Sequence, residues 1–525
     1  MDHKDIFRQR FEFYTEIKNK VEAYLGHANK RLALYKQTHS AELKSLKPKI
    51  ATTADFFETL KSTQILLMGD FHSEPQSMRS LLRICRKYKS KKLVLALECI
   101  YLKHQVVLEK YMAGLISEID FIRQTSWSKN WNFPFLSVKP LLQWAIQNDV
   151  AVHAVNSSDA DLNQRDLKIA QNIKKIVNRY PEKLLIVQIG DYHLAQKHLP
   201  KEIYKILPKI KLQTVFQSPD EIYFQQMKKH KSVPDFVRFN KQQWAVMAVL
   251  PWVKWQNYLL LLESTGANWS DDEVDVTDHV ARAVQFISDS LNIQTDLSEI
   301  SVYVLADFEP ASEFVKTDAH LKNKIKTDIS DQKSFFVPEL KKGYLESFTL
   351  NHISRLAAEY LMFKHKIYTK TICDSQKYFL SLIWIEMLSY FFTKIMNPKR
   401  KTNTVFDLRS FLISENFDDH GKDVLAIALE QKLKEMNSSV TEFDSKRKKS
   451  LAKNKKTYAA AARLLGGIMG EKVFWAFVNK RLKFPAAINF LFQDVYSKSF
   501  QVKYYDLIEV IDQWPNSAKS KFDHF

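Results

Sequence analysis

The distribution of apolar positions changes character twice along the chain. Residues 4 to 48 place apolar side chains at helical spacing among dense lysine and glutamate, and "ATTADFFETL" then opens a short helix with Thr53 as its expected N-cap. From residue 64, "QILLMGD", "KLVLALE", "VAVHAVN" and "LLIVQIGD" are short unbroken apolar runs rich in Val, Ile and Leu. Unbroken rather than alternating apolarity marks strands covered on both faces, as in a parallel sheet. Between them lie "SMRSLLRICRKYKS", "QVVLEKYMAGLISEIDFIRQT", "PLLQWAIQN" and "QRDLKIAQNIKKIVNRY", all with helical texture. Strand alternating with helix predicts an α/β fold whose crossovers are right-handed. A fifth run, "LQTVFQS", is expected to close the sheet, and the aromatic segment 242–263 to form a lid or docking surface.

After about residue 266 the pattern becomes helical. "NWSDDEVDVTDHVARAVQFISDSLNI" reads as a capped helix behind an acidic loop, and "ISVYVLADF" as a strand. Helices are expected over 311–327, 344–367, 374–396, 421–437, 456–480 and 484–498. The lysine-dense run "DSKRKKSLAKNKK" (444–456) is expected as an exposed linker or helix face. The most apolar stretch, 378–396, carries Glu386 and Lys394, which makes it too short and too interrupted for a spanning helix. It is expected buried, with no transmembrane segment in the chain. The expected organisation is an N-terminal helix (1–50), an α/β domain with a mainly parallel sheet flanked by helices (51–265), and a mostly α-helical C-terminal half (266–525).

Composition narrows the class. With 45% hydrophobic residues the chain can bury a large core, and 525 residues exceed one typical core. The formal charge of +19 admits an anionic partner, but no RRM signature, zinc-finger spacing or basic stripe interleaved with aromatics is present, so sequence-specific nucleic-acid binding is not expected. Three scattered cysteines without CxxC spacing fit a reducing compartment. The opening "MDHKDIFRQRFEFY" lacks the apolar core of a signal peptide, so the expected location is cytoplasmic.

Only 10 residues are glycine, far below the roughly 7% average, yet two fall in a repeated pattern: Gly69-Asp70-Phe71-His72 and Gly190-Asp191-Tyr192-His193 each follow an apolar run. In open parallel sheets ligands sit beyond the carboxyl ends of the strands. The other runs end at Glu98 and at Asn156. If both tetrapeptides stay extended, alternation points Asp70 with His72, and Asp191 with His193, to common sides. Three carboxylates and two imidazoles would then share one edge. Such a set could hold zinc, manganese, cobalt or iron through Asp70, His72, Glu98, Asp191 and His193 and activate a water for hydrolysis. Without a metal it makes a general acid–base pair, with Glu98 tuned by burial. A haem site is the third reading, with Tyr101, Tyr192 or His193 as candidate groups.

"MGDFHSEPQS", "LALECI" and "IGDYHLAQKHLP", in that order, resemble the superfamily of ChaN haem-binding uptake proteins, Tiki proteins and erythromycin esterases. That family shows a strand ending in Gly-Glu-x-His, a strand ending in Glu, and a late Gly-x-x-His. "LKHQVVLEKYMAG", "WSKNWNFPF" and "VNSSDADLNQRDLKIAQNI" are similar to ChaN-type segments, the last placing Arg165 and Asp166 at the start of the helix after Asn156. The likeness spans roughly 64 to 205. It implies His72, Glu98 and His193 as catalytic residues, with Tyr101, Tyr192, Asn156 and Arg165 toward a cofactor. It also implies a small-molecule ligand, a haem or divalent-metal cofactor, and a metal- or His/Glu-dependent hydrolase activity. Asp70 stands where the family usually has Glu, one methylene shorter. The helical half is expected as a lid or a homo-oligomerisation unit. A second expectation, from a different class, is a non-enzymatic scaffold whose basic helical half binds an anionic partner.

Overall fold

The computed structural model describes residues 3–26, 30–72, 74–88, 92–131, 133–157, 161–230, 233–266, 276–304, 333–347, 349–367, 375–413, 418–436, 454–479 and 486–512, with Lys322, Ile325, Asp328 and Arg481 besides. The chain divides between residues 272 and 273 into two compact units.

The first unit is built on an eight-stranded sheet. Its strands are β1 (Lys49–Ala51), β2 (Ile65–Asp70), β3 (Leu93–Tyr101), β4 (Ala151–Asn156), β5 (Leu184–Gly190), β6 (Leu212–Gln217), β7 (Phe236–Arg238) and β8 (Gln243–Val246). Their order across the sheet is β1-β7-β8-β6-β2-β5-β3-β4. From β8 to β4 every pairing is parallel, and β7 and β1 add antiparallel pairs at one edge. Every residue of β2 is buried, as an unbroken apolar run between two helical layers requires. An apolar cluster runs from Phe56 and Leu66 through Leu95, Leu142 and Ile186 to Trp244.

The four apolar runs are all strands, and "LQTVFQS" supplies β6. β6 does not close the sheet, because β8, β7 and β1 continue beyond it. The segment expected as a lid is split between β8 and the helix Pro251–Gly266. The helix expected over 105–125 breaks into Gln105–Met112 and Glu118–Gln124, because Gly114 turns the chain at φ +70°. Thr52, not Thr53, caps the helix Thr53–Leu60, in a reciprocal capping box with Asp55. The N-terminal helices pack into this unit: His3–Leu25 lies on Pro251–Gly266, and Lys30–Ser45 lies on the short turn Asp191–Leu194.

The second unit is largely helical: Thr277–Leu291, Leu350–Lys364, Ser375–Met396, Val405–Ile413, Asp419–Met436, Lys455–Val478, Ala486–Leu491 and Phe500–Asp512. A small sheet joins β9 (Val302–Val304), β10 (Phe335–Val337) and β11 (Lys342–Leu345). β11 occupies the first residues of the helix expected over 344–367, which starts only at Leu350, where the Thr349 side chain caps it by accepting from the His352 amide. The segment expected as one helix over 484–498 is helical only to Leu491. Among the described residues, the helices 405–413 and 500–512 are additions to the expected set. The acidic loop, nearly all of the helix expected over 311–327, and the lysine run up to residue 453 lie outside the described residues.

Lys377–Met396 is, by length and composition, apolar enough to cross a membrane, contrary to the reading from its two charges, and 83% of that window is buried within the protein. Gly466 and Gly470 let Lys455–Val478 approach it closely: a Cβ at Gly466 would stand 2.8 Å from the Glu386 backbone carbon, and one at Gly470 2.7 Å from the Met387 carbonyl oxygen.

Candidate functional site: an acid–base centre at the strand ends

β2 and β5 are adjacent and parallel, and β5 is in turn adjacent to β3. The two Gly-Asp-aromatic-His segments and Glu98 therefore emerge side by side. Their register is offset by one, with Gly69 opposite Ile189 and Asp70 opposite Gly190. A one-residue offset puts equivalent positions on opposite faces of the sheet, so the two glycines serve different neighbours. A Cβ at Gly69 would overlap the Asp191 carboxylate. A Cβ at Gly190 would lie 3.4 Å from both Glu98 Oε2 and His72 Nε2. Each glycine thus makes room for a side chain contributed by another strand end.

The two segments also differ in backbone. After Asp70 the chain lets His72 Nδ1 reach back to Asp70 Oδ2 at 2.7 Å. After Gly190 it coils into a short 3-10 turn, Asp191–Leu194, instead of staying extended. The turn brings His193 to the centre and leaves Asp191 outside it. The Asp191 carboxylate instead accepts the Gln217 amide at 3.3 Å. Burial raises its pKa to about 7, with Asp70 and Asp220 adding to the rise and Lys254 and the Gln217 amide opposing it. Asp191 stays at the strand-end edge, where its charge helps raise His72, but its carboxylate turns to the Gln217 amide and not to His193. The carboxylate paired with His193 is Asp166, whose Oδ1 stands 2.5 Å from His193 Nδ1.

Glu98, 2% exposed, lies between the two rings. His72 Nε2 is 3.8 Å from its Oε2 and His193 Nε2 is 3.5 Å from its Oε1. Its Oε2 accepts the Gly190 amide at 2.5 Å. Because each imidazole engages an aspartate through Nδ1, each turns Nε2 toward Glu98. Tyr35, from the helix Lys30–Ser45, completes the far side: its hydroxyl donates to Asp166 Oδ2 at 2.8 Å and lies 2.9 Å from His193 Nδ1. His198 stacks on the Tyr35 ring at 3.7 Å and fixes it.

Burial alone would push the Glu98 carboxyl up, but His193, His72, the Gly190 amide and Arg165 outweigh it and hold the pKa below the usual range. Burial lowers His72, yet the Asp70 hydrogen bond and the charges of Asp70, Glu98 and Asp191 raise it to about 9. His193 is raised in the same way, Asp166 and Glu98 overcoming burial. The centre is therefore a carboxylate held below its usual range between two imidazoles that the surrounding carboxylates raise, each braced by an aspartate. Of this set only His72 opens to solvent, with 35% of its side chain exposed against 6% for His193. Trp131 meets His72 edge-on at 5.2 Å and Phe133 lies nearly parallel to it at 6.0 Å, so "WSKNWNFPF" forms the aromatic wall of the opening.

The remaining expected residues fall elsewhere. Tyr101 ends β3 one ring away from His72, near-parallel to Trp131 at 6.1 Å. Asn156 ends β4 opposite it. Arg165 acts on Glu98, His193 and Tyr35 by charge. Tyr192 lies off the centre, against His39 and under Lys36. The reading from sequence missed Tyr35 and left Asp166 without a role. The buried stripe Tyr35, His39, Leu43, at i, i+4 and i+8, was a visible sign that this helix packs on something.

Neither implied cofactor fits these residues well. Among the described residues no group of three or more His, Cys, Asp or Glu side chains is placed to hold a metal ion. The two Nε2 atoms face different oxygens of Glu98, one of which already accepts a backbone amide. For haem, burial and the charges of Asp191 and Asp220 push the Tyr192 hydroxyl pKa up, away from the tyrosinate an iron ligand needs. The cavity beside Tyr101 is walled mainly by lysine and amide side chains rather than the apolar faces a macrocycle requires.

The fold and the site together define a parallel α/β domain with a His–Glu–His centre at the carboxyl ends of its strands. The family model described as haem-binding uptake, Tiki superfamily, ChaN matches residues 56–164. The resemblance read from the motifs is thereby shown for a segment that carries Asp70, His72, Glu98, Tyr101 and Asn156 and stops short of Asp166 and His193. No curated protein and no solved structure matches the chain.

Proposed function

We propose that residues 1–272 form a small-molecule hydrolase domain in which Glu98 is the base and His72 the acid. The observation that carries this reading is the position of Glu98: a buried carboxylate held by charge between two imidazoles, one of which is open to solvent. A network that served folding alone would have no use for the opening at His72.

The protonation states assign the roles. Glu98 removes a proton from a water as its oxygen bonds to an ester or lactone carbonyl carbon. The His72 Nε2–H stabilises the resulting oxyanion, then gives its proton to the leaving alkoxide as the C–O bond breaks. Proton return from Glu98 to His72 restores the centre. Because its pKa is depressed, Glu98 is a modest base, and the acid supplies the larger share. His193, held by Asp166 and Tyr35, positions Glu98.

The test uses p-nitrophenyl acetate and a simple γ-lactone as probes for the full-length chain after dialysis against chelator. Hydrolysis that falls at least 100-fold in Glu98→Gln and in His72→Gln, with unchanged circular dichroism, supports the reading. Rates equal to wild type in both variants overturn it, and activity that returns only with added zinc or manganese replaces it with a metal mechanism.

A further inference from the structure

Next to the centre, a cavity of about 340 Å3 opens between the end of β3, the end of β4 and the helix Leu162–Arg179. Its size suits a small molecule. One wall is Tyr101, whose ring lies near-parallel to Trp131 at 6.1 Å, and Trp131 in turn meets His72 at 5.2 Å. A molecule seated against Tyr101 is therefore one ring away from the solvent-open imidazole. Asn156 ends β4 opposite Tyr101 and lines the same cavity.

Asn156 is 1% exposed, and neither its amide nitrogen nor its amide oxygen has a hydrogen-bond partner among the described residues. Asn172, buried on the adjoining helix and lining the same cavity, differs: its amide donates to the Val155 carbonyl at 3.4 Å. Leaving both ends of a buried amide unmatched disfavours the folded chain. Its retention beside a cavity points to a partner from outside the chain. A side-chain amide presents a C=O and an N–H along one edge. Matching both at once takes a partner with a donor and an acceptor side by side, as a lactam or a primary carboxamide has. A carboxylate or phosphate offers acceptors only and leaves the Asn156 oxygen unmatched.

We infer that this cavity binds the paired N–H and C=O of an amide, in a lactam or a carboxamide, through a two-point hydrogen bond with Asn156 and packing on Tyr101. The ester or lactone carbonyl of the same molecule then lies at His72. That second placement rests on the hydrolase reading above; recognition of the amide does not. The substrate class narrows to an ester or lactone that also carries an amide.

The experiment is a saturation-transfer NMR titration of the full-length chain with 2-piperidone and, separately, with N-methyl-2-piperidone, which keeps the ring and carbonyl but has no N–H. Wild type is expected to bind 2-piperidone saturably and the N-methyl compound about tenfold more weakly or not at all, the effect of one lost hydrogen bond. Asn156→Leu should lose 2-piperidone binding by about tenfold or more, and should melt no lower than wild type because it removes two unmatched polar groups. If the leucine variant does melt lower, Asn156→Asp, which keeps the shape and replaces the donor with an acceptor, is expected to show the same loss. Equal binding of the two probes, unchanged 2-piperidone binding in the Asn156 variants, or no saturable binding in wild type overturns the inference. Glu98→Gln separates the two readings, because it should abolish hydrolysis and keep lactam binding; hydrolysis that survives it while the lactam still binds removes the hydrolase reading and leaves the amide site standing.

Discussion

Among the buried glutamates, Glu98 of the α/β unit and Glu471 of the helical unit are satisfied in opposite ways. In the helical unit Glu471 is saturated by contact: Lys394 donates to its oxygens at 2.6 and 2.5 Å, Tyr390 at 2.7 Å and Trp475 at 2.9 Å. In the α/β unit Glu98 has one hydrogen bond, from the Gly190 amide, and two imidazoles too distant to donate well. Its charge is balanced, but its lone pairs are not filled. A carboxylate filled by donors on every side has nothing left to offer a substrate. One stabilised mainly by charge keeps acceptor capacity for a water, and the partly exposed His72 provides the way in.

Replacing each glutamate by its neutral isostere should separate these roles, and this is the largest effect expected. Glu98→Gln should lower hydrolysis by about 100-fold or more, the range for loss of acid–base catalysis, with the fold retained. Glu471→Gln strands the buried Lys394 charge and should cost about 3–5 kcal/mol of unfolding free energy, leaving hydrolysis per folded molecule unchanged. Denaturant melts and initial rates on both variants decide it. If Glu98→Gln proves only a stability variant, the contrast between the two sites collapses.

Acidity sharpens the contrast next. The acid form of His72 is lost as pH rises through about 9, so activity should fall tenfold per unit above that. The stability effect has the same sign. A histidine raised from its ordinary 6.5 stabilises the folded chain fully below that value and loses its contribution as pH climbs through about 9. The stability gap between wild type and His72→Gln should therefore be widest below pH 6.5 and close by pH 10. Part of the exposed ring is screened by water, so the gap should also narrow in salt. A gap constant across that range would mean that His72 is uncharged in the folded protein.

How far the sequence disclosed all this depends on the range of each interaction. The parallel sheet was readable because unbroken apolar runs bounded by Gly-Asp or Glu have few other uses. The meeting of His72, Glu98 and His193 followed from strands ending at a common edge. What was not readable was set by small backbone changes and by distant chain. Whether residues 191–194 stay extended or coil decides that Asp166, and not Asp191, backs His193. The contribution of Tyr35 depends on how a helix 158 residues away in sequence docks. The Gly114 break and the β10–β11 hairpin are local features that helical periodicity overrode.

The two glycines of the repeat offer a finer division between packing and chemistry. Gly69→Ala drives a methyl into the Asp191 carboxylate, and overpacking of this kind costs about 1–3 kcal/mol. Gly190→Ala places its methyl in ordinary contact with Glu98 and His72, at φ −53°, which any residue adopts. It should cost less stability than Gly69→Ala and more activity, since the methyl occupies space beside both reacting groups. Thermal melts and hydrolysis rates of the pair should therefore rank in opposite orders.

The smallest effect tests whether the brace behind His193 matters to Glu98 at all. Tyr35→Phe keeps the ring that stacks on His198 and deletes the hydroxyl that donates to Asp166. One such hydrogen bond contributes about 0.5–1.5 kcal/mol, and the ring packing limits any larger collapse. Asp166 still pairs with His193, so the ring stays engaged, but with one fewer contact fixing its orientation. Hydrolysis should drop only a few-fold, through kcat rather than KM, because Tyr35 lies behind His193 and away from the opening at His72. A change confined to KM would place the substrate on the Tyr35 side and reverse the direction of approach.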